Sequence, residues 1–227
     1  MLTRAIRLAL LPLLAVLLLT APARAATDQE ELVSDARETV DLLLQNHDMG
    51  PYVRNYLQKA KAVLVLPAML KGAFFVGAEG GTGVLLARGN GGWSYPAFFV
   101  MGSGSFGLQL GGQASRMILI IMTDKALTAV LDGKVKLGGD LSAAMGPVGV
   151  GAEASTTINL GADIYSYALN KGAFLGASVE GAVVYPREPW NQAYYNDPAA
   201  APRGIVLDGR YANPQADPLR NRLAEVR

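Results

Sequence analysis

Cysteine is absent from this chain of 227 residues. Its absence excludes disulfides, thiolate nucleophiles and metal sites built on thiolates. The lipid-modified cysteine of bacterial lipoproteins is missing as well. We therefore expect that no acyl chain holds this protein at a membrane.

Histidine is nearly absent too, since His47 is the only one. It lies in a polar break between two predicted helices, which favours a surface or capping position over a role as a general base. No serine has glycine two residues before and two residues after it, so the nucleophile elbow is missing. We therefore predict that the chain is not an enzyme and has no metal site or cofactor.

One apparent nucleotide motif is better explained as strand. Residues 102–107 (GSGSFG) match the GxGxxG pattern and follow a strand-like run. A dinucleotide site needs a helix to start there, whereas the next residues, 108–112 (LQLGG), are typical of a glycine-broken strand. We therefore reject a dinucleotide site.

Two carboxylates, Asp140 and Glu153, stand in largely apolar or glycine-rich surroundings. If both were buried together in a pocket, they would support an enzyme hypothesis. Since no partner base is apparent, we instead expect them to face solvent or to accept hydrogen bonds from turns and backbone.

Charge is sparse and balanced. Charged residues make up 17% of the chain, with 20 basic against 19 acidic residues. Without residues 1–25 the chain loses three arginines, leaving 17 basic against 19 acidic residues. Because nucleic-acid binders are normally basic, we expect no nucleic-acid partner.

The first 25 residues have the pattern of a signal peptide. Arg4 and Arg7 precede an apolar run over residues 6–19, and residues 23–25 (ARA) suit a signal peptidase cut before Ala26. An uncleaved anchor helix is the alternative, although the run is short for a membrane span. We expect a cleaved signal peptide and a location in the periplasm or cell envelope.

The remaining pattern predicts an α+β fold with a curved, barrel-like antiparallel sheet and short packed helices near both ends. Thr27 and Glu30 form a capping box for a first helix, and Pro51 opens a second helix that runs to Lys61. Short β-branched and aromatic runs separated by glycines follow, with a turn at residues 89–92. Residues 118–122 predict a buried strand that leads into a helix capped at Thr123 or Asp124.

Further strands are expected in hairpin order up to Tyr185. Beyond Pro186 the composition shifts toward Pro, Ala and Asn, with helical potential at residues 190–195 and 217–226. We interpret residues 196–227 as a tail that packs partly on the domain, not as a second domain.

Many ordered sequence blocks in the strand region resemble the SYLF domain family, in which we place residues 26–195. These blocks are residues 61–67 (KAVLVLP), 77–85 (GAEGGTGVL), 93–98 (WSYPAF), 105–113 (SFGLQLGGQ), 137–142 (LGGDLS), 146–149 (GPVG), 152–155 (AEAS), 164–167 (IYSY) and 171–181 (KGAFLGASVEG). The resemblance implies a lipid-binding module without enzymatic activity, and in eukaryotic members one that also binds phosphoinositide membranes and actin. For a secreted bacterial member it implies binding to a lipid or an anionic membrane surface.

The resemblance also suggests that an amphipathic, basic N-terminal helix contacts lipid, but the first helix here is acidic, with Arg37 as its only basic residue. The second helix fits better, because its basic side chains would meet phosphates while aromatic rings lie at headgroup depth. The predicted lipid-binding residues are Tyr52, Arg54, Tyr56, Lys59, Lys61, Lys71 and Trp93. Two alternatives stay open: these are ordinary solvated lysines above a core helix, or the domain binds an envelope protein and contacts lipid incidentally.

Overall fold

The computed structural model describes residues 25–73, 76–106, 111–133, 135–147, 161–170, 173–174 and 179–226. Two helices come first, α1 (Asp28–Gln45) and α2 (Gly50–Lys59). Strands β1 (Ala62–Ala73), β2 (Val76–Gly89), β3 (Gly92–Trp93), β4 (Ala97–Phe106) and β5 (Gly111–Ile121) follow. Helix α3 (Asp124–Asp132) then precedes β6 (Val135–Lys136), β7 (Ala143–Met145), β8 (Ile164–Asn170), β9 (Ala173–Phe174) and β10 (Val183–Pro186). Helices α4 (Glu188–Tyr195) and α5 (Pro202–Val206), a 3-10 turn (Pro214–Ala216) and α6 (Asp217–Ala224) complete the described chain.

The strands form one curled, mainly antiparallel half-barrel sheet. Its order is β6-β10-β4-β2-β1-β5-β8-β7, with β3 paired to β2 and β9 paired to β8. Short helices lie at the N- and C-terminal ends of the chain. The predicted α+β class and curved sheet are therefore confirmed.

Both faces of the sheet are covered, which explains why its central strands are so apolar. Along β1, Val63 and Val65 belong to one core, whereas Leu64 and Leu66 belong to the other. This alternation follows from the two-residue period of side chains along a strand. The first core is packed under α1, α2 and α6, and the second under α3 and α5.

The helix boundaries follow local signals. Thr27 and Glu30 bond each other reciprocally at the start of α1, as the capping box predicted. Thr123 caps α3 by accepting a hydrogen bond from the Ala126 N–H, and α3 ends at Asp132. Helix α2 ends at Lys59, two residues before the predicted Lys61.

A β-bulge bends β1 at its centre. The register of β1 slips by one residue against β2 between Val65 and Leu70, and against β5 between Leu66 and Met69. Pro67 lies in this interval, and a proline without an N–H is tolerated in a sheet at such a bulge. Gly83 of β2 lies so close that a Cβ there would be 2.4 Å from the Val65 carbonyl oxygen. The tight curl of the sheet therefore needs a residue without a side chain at position 83.

The expected hairpin order is wrong for the later strands. Strand β10 pairs antiparallel with β4 and β6, and β7 runs parallel to β8. The curl carries β10 back to the β4 edge of the sheet, so it pairs with a strand about 80 residues earlier in the sequence. Local turn signals do not contain this long-range pairing.

The tail contributes to both cores. Leu219, Leu223 and Val226 are buried in the first core, and Ile205 and Val206 in the second. The Gln215 side-chain amide donates to the Glu30 carbonyl at 2.9 Å, which ties the tail to α1. Among the described residues, no helix is both long enough and apolar enough to cross a membrane.

Candidate functional site

A cavity of about 580 Å³ lies between α2 and the adjoining ends of β5 and β8, open on one side. Its size falls in the range of small-molecule sites, roughly 300–1,000 Å³. The lining residues come from four parts of the chain: Tyr52, Asn55, Tyr56, Lys59, Met122, Thr123, Pro147, Gly161, Ala162 and Tyr165. No carboxylate is among them. We refer to this site as the tyrosine cavity.

Helix α2 builds one wall through its spacing. Tyr52, Asn55, Tyr56 and Lys59 stand at positions i, i+3, i+4 and i+7, which lie on one face of an α-helix. A neighbouring stripe that includes the fully buried Val53 and Leu57 points into the first core. The buried stripe therefore fixes the helix and turns the polar face toward the cavity.

Two tyrosines are in contact at the junction of this wall with the sheet. The rings of Tyr56 and Tyr165 have centroids 4.3 Å apart and an interplanar angle of 42°. Burial, and then the neighbouring Tyr165, raise the pKa of Tyr56 to about 12. The Gly161 N–H donates to the Tyr165 hydroxyl at 3.2 Å. The Tyr56 phenol therefore keeps its proton at neutral pH.

A third tyrosine, Tyr167, lies beneath the cavity. Its ring centroid is 6.4 Å from that of Tyr56, and the residue is fully buried. Its hydroxyl has no hydrogen-bond partner within the described part of the chain. Gly146, next to the cavity-lining Pro147, lets the ring pass, since a Cβ there would be 2.1 Å from Cζ of Tyr167.

Asp163 connects the segments on the side of the cavity opposite α2 through hydrogen bonds. Its carboxylate accepts hydrogen bonds from the Thr123 hydroxyl at 2.8 Å and from the hydroxyl and N–H of Ser142 at 2.8 and 3.1 Å. Partial burial alone would raise the pKa of Asp163. The hydrogen bonds from Ser142 and Thr123, with the positive charge of Lys125, outweigh that effect and hold this pKa below its ordinary value.

The cavity brings together three of the predicted site residues, Tyr52, Tyr56 and Lys59. Lys59 is exposed and has no ion-pair partner among the described side chains. Lys61 is exposed beside it, but its ammonium lies 3.0 Å from a carboxylate oxygen of Asp124. Arg54 is half-buried on α2 and does not line the cavity.

The expected surface position of Trp93 needs correction. Trp93 is only 3% exposed and belongs to the first core. The Arg88 guanidinium lies 4.6 Å from the centroid of its ring, and Nε of Arg220 donates to its carbonyl at 2.9 Å. These contacts hold Trp93 inside the protein, so its ring does not reach headgroup depth. Lys71 lies in β1, but its side chain falls outside what the structure describes.

The structure does not support the enzyme hypothesis for one of its two carboxylates. Asp140 is exposed and accepts a hydrogen bond from the Lys136 N–H at 2.8 Å, as expected for a turn residue. Glu153 lies outside the described residues. The required burial of both carboxylates in one pocket is therefore not met.

The other sequence expectations about catalytic and metal sites concern residues outside the cavity lining. His47 is exposed, with Nδ1 3.2 Å from the Asp48 carboxylate, as predicted for a surface residue. Residues 102–106 of the GxGxxG match are strand, whereas residues 107–110 lie outside the described residues. Within the described ranges, no group of three or more His, Asp or Glu side chains is arranged to hold a metal ion.

Sequence reasoning missed the second wall, formed by Met122, Thr123, Pro147, Gly161, Ala162 and Tyr165. The wall assembles because β5 and β8 pair antiparallel, with Ile121 opposite Ile164. The aromatic run IYSY at residues 164–167 was the available signal, since alternate residues of a strand share a face.

Comparisons with known proteins agree with this architecture. The family model "Ysc84: Las17-binding protein actin regulator" matches residues 102–226, more than half of the chain. LAS seventeen-binding protein 3 of Saccharomyces cerevisiae is 33% identical over 168 residues, which are 72% of this chain and 36% of the relative. Protein YSC84 of the same yeast is 32% identical over 174 residues, 74% of this chain and 36% of the relative. SH3 domain-containing YSC84-like protein 1 of Homo sapiens is 28% identical over 176 residues, 77% of this chain and 51% of the relative.

The fold thus defines an α+β domain with a curled half-barrel sheet. The chain belongs to the Ysc84 family, the SYLF domain family that its sequence blocks resemble. It spans about a third to a half of the length of these curated relatives.

Proposed function

We propose that this chain is a non-catalytic binding module of the bacterial periplasm or envelope that associates with anionic lipid surfaces. The observation that carries this proposal is Lys59, which is exposed, lines the tyrosine cavity and has no ion-pair partner among the described side chains. Arg54 on the same helix adds positive charge, whereas the charge of Lys61 is paired with Asp124. Each basic residue near an anionic surface contributes about 1 kcal/mol, so binding is weak, reversible and sensitive to salt.

The acidic residues of α1 make α2 the better candidate for the contact surface. Three acids in its first turn would be repelled by anionic headgroups. Two acids further along, Glu38 and Asp41, form ion pairs with Arg116 and Arg222, so they hold the tail and the sheet instead of meeting a partner. The surface around α2 is therefore the better side to face a membrane.

Export is part of the proposal. Residues 1–25 carry the signal-peptide pattern. Mass spectrometry of protein secreted by an expression host tests it: cleavage before Ala26 is expected, and an intact N terminus would contradict it.

Co-sedimentation with vesicles tests lipid binding directly. Residues 26–227 are mixed with zwitterionic or anionic vesicles at low and at high salt. We expect pelleting only with anionic vesicles and its loss at high salt. Lys59→Gln should weaken it, whereas Lys136→Gln, a matched loss of one exposed charge on β6, should not. Equal binding to both vesicle types, or to neither, would refute the proposal.

A protein partner is the second candidate. The matched family is described as a Las17-binding protein and actin regulator, and one yeast relative, LAS seventeen-binding protein 3, carries binding to a protein in its name. In this case lipid contact is incidental. Crosslinking of the protein in its own envelope would then recover one defined partner, while purified protein would not pellet with vesicles.

A further inference from the structure

We propose that the tyrosine cavity binds the anionic headgroup of one amphiphile molecule, with Lys59 as its charge partner and the hydrocarbon leaving through the open side. This inference rests on the proposed lipid function and deepens it. Surface attraction alone needs only charge near α2, whereas the cavity predicts a saturable site for a single molecule.

The polar lining consists mainly of hydrogen-bond donors. Lys59 offers an ammonium, Asn55 an amide, and Tyr52 and Tyr56 offer phenols. The phenol of Tyr56 stays protonated at neutral pH and already shares a hydrogen bond with Tyr165. Among the described lining residues, none carries a carboxylate that would repel an anion. This inventory fits an oxyanion such as a phosphate.

Lys59 differs from the neighbouring Lys61 in its ion pairing. Lys61 is held by Asp124 at 3.0 Å, outside the lining. Lys59 lines the cavity and has no such partner in the described ranges. An anion in the cavity would therefore gain an unused charge-assisted contact.

Part of the lining is apolar. Met122, Pro147 and Ala162 offer carbon surface beside the donors. The cavity volume of about 580 Å³ exceeds what a bare phosphate needs. A headgroup with the first carbons of its tail fits both the size and the mixed lining.

The test is calorimetric titration of the exported, processed chain with dihexanoyl phosphatidylglycerol below its micelle concentration. Dihexanoyl phosphatidylcholine and inorganic phosphate are the comparison probes. We expect saturable one-to-one binding of the anionic amphiphile, at least tenfold tighter than either comparison probe. Lys59→Gln should weaken it about five- to tenfold, as expected for one lost cationic contact.

A pair of tryptophan variants on α2 tests the place of binding. Asn55→Trp puts a bulky ring at the cavity from an exposed position, so it should fold and lower affinity at least tenfold. Gln58→Trp adds the same ring at an exposed position of α2 outside the lining and should change affinity less than twofold. Circular dichroism and thermal unfolding verify that both variants are folded.

The outcomes separate this inference from the proposed function. If the short-chain amphiphile does not bind, or if Asn55→Trp and Gln58→Trp bind it alike, the cavity inference is wrong even when anionic vesicles still pellet the protein. If inorganic phosphate binds as tightly, the amphiphile assignment is wrong. If the amphiphile binds in the cavity but vesicles never pellet the protein, the inference stands and the surface function falls.

Discussion

The side chain of Asn191 in α4 makes two hydrogen bonds to the backbone of Phe98 in β4. Its Oδ1 accepts from the Phe98 N–H at 2.7 Å, and its Nδ2 donates to the Phe98 carbonyl at 3.3 Å. Asn191 is fully buried. The pairing of β10 with β4 ends at Pro186. Beyond that point the Asn191 side chain, instead of a neighbouring strand, bonds the backbone of β4.

Replacing Asn191 with alanine should therefore destabilise the fold. The Phe98 N–H would be left buried without a partner, which costs about 1–3 kcal/mol. Urea unfolding of Asn191→Ala measures the loss. Gln58→Ala, which removes an exposed amide from α2, serves as the control and should stay within about 0.5 kcal/mol of wild type. Equal stability of the two variants would show that the Asn191 bonds contribute nothing.

Gly146 should not tolerate a side chain. In Gly146→Ala the new Cβ would lie 2.1 Å from Cζ and 2.5 Å from the hydroxyl of Tyr167, whose ring is packed in the core. Relief requires movement of Tyr167 or of the backbone beside Pro147, with a typical overpacking cost of about 1–3 kcal/mol. Thermal unfolding should show a clear drop in Tm.

Gly91 supplies the matched control for this substitution. A Cβ at Gly91 would have no heavy atom within 4 Å, and the residue lies in the exposed turn between β2 and β3. Gly91→Ala should leave Tm nearly unchanged. If it lowers Tm as much as Gly146→Ala does, the close approach to Tyr167 is not the cause.

Local signals predicted the helix that forms one wall of the cavity, but not the cavity itself. The capping box at Thr27 and Glu30 and the proline at position 51 place the two helices, and the spacing of Tyr52, Tyr56 and Lys59 puts them on one face. The other wall depends on the pairing of β5 with β8, more than 40 residues apart. Sequence periodicity carries no information on which distant strand becomes the neighbour.

Trp93 shows a second limit of sequence reasoning. Its type suits either a membrane interface or a core, and only its surroundings decide between them. The ring is enclosed by Arg88, and Arg220 from α6 bonds its carbonyl, so a residue 127 positions away helps to set its environment. A pattern confined to residues 90–100 cannot contain that contact.

Acid should reveal the contribution of Asp163. The native pKa of this carboxyl is lowered, so its stabilising effect is fully present above its unfolded pKa of about 3.9 and is lost as pH falls through the native value. Asp163→Asn should therefore unfold more easily than wild type at pH 7. The difference should shrink as pH falls below about 4.

The measurement is the free energy of unfolding of both proteins between pH 7 and pH 3. Gln58→Ala, which changes no carboxyl, should differ from wild type by the same amount throughout. A difference between wild type and Asp163→Asn that does not vary with pH would contradict the role of the Ser142 and Thr123 hydrogen bonds.

Alkali should loosen the junction between α2 and the sheet through Tyr56. Burial and Tyr165 raise its native pKa from 10.0 to about 12, so the fold favours the neutral phenol. This contribution to stability is complete below about pH 10 and is lost as pH rises through about 12.

Tyr56→Phe removes the ionisable group and should lose less stability than wild type between pH 9 and pH 12. Tyr185→Phe, a change at an exposed ring on β10, is the control. If Tyr56→Phe and Tyr185→Phe lose stability equally over this range, the Tyr56–Tyr165 contact does not hold α2 in place.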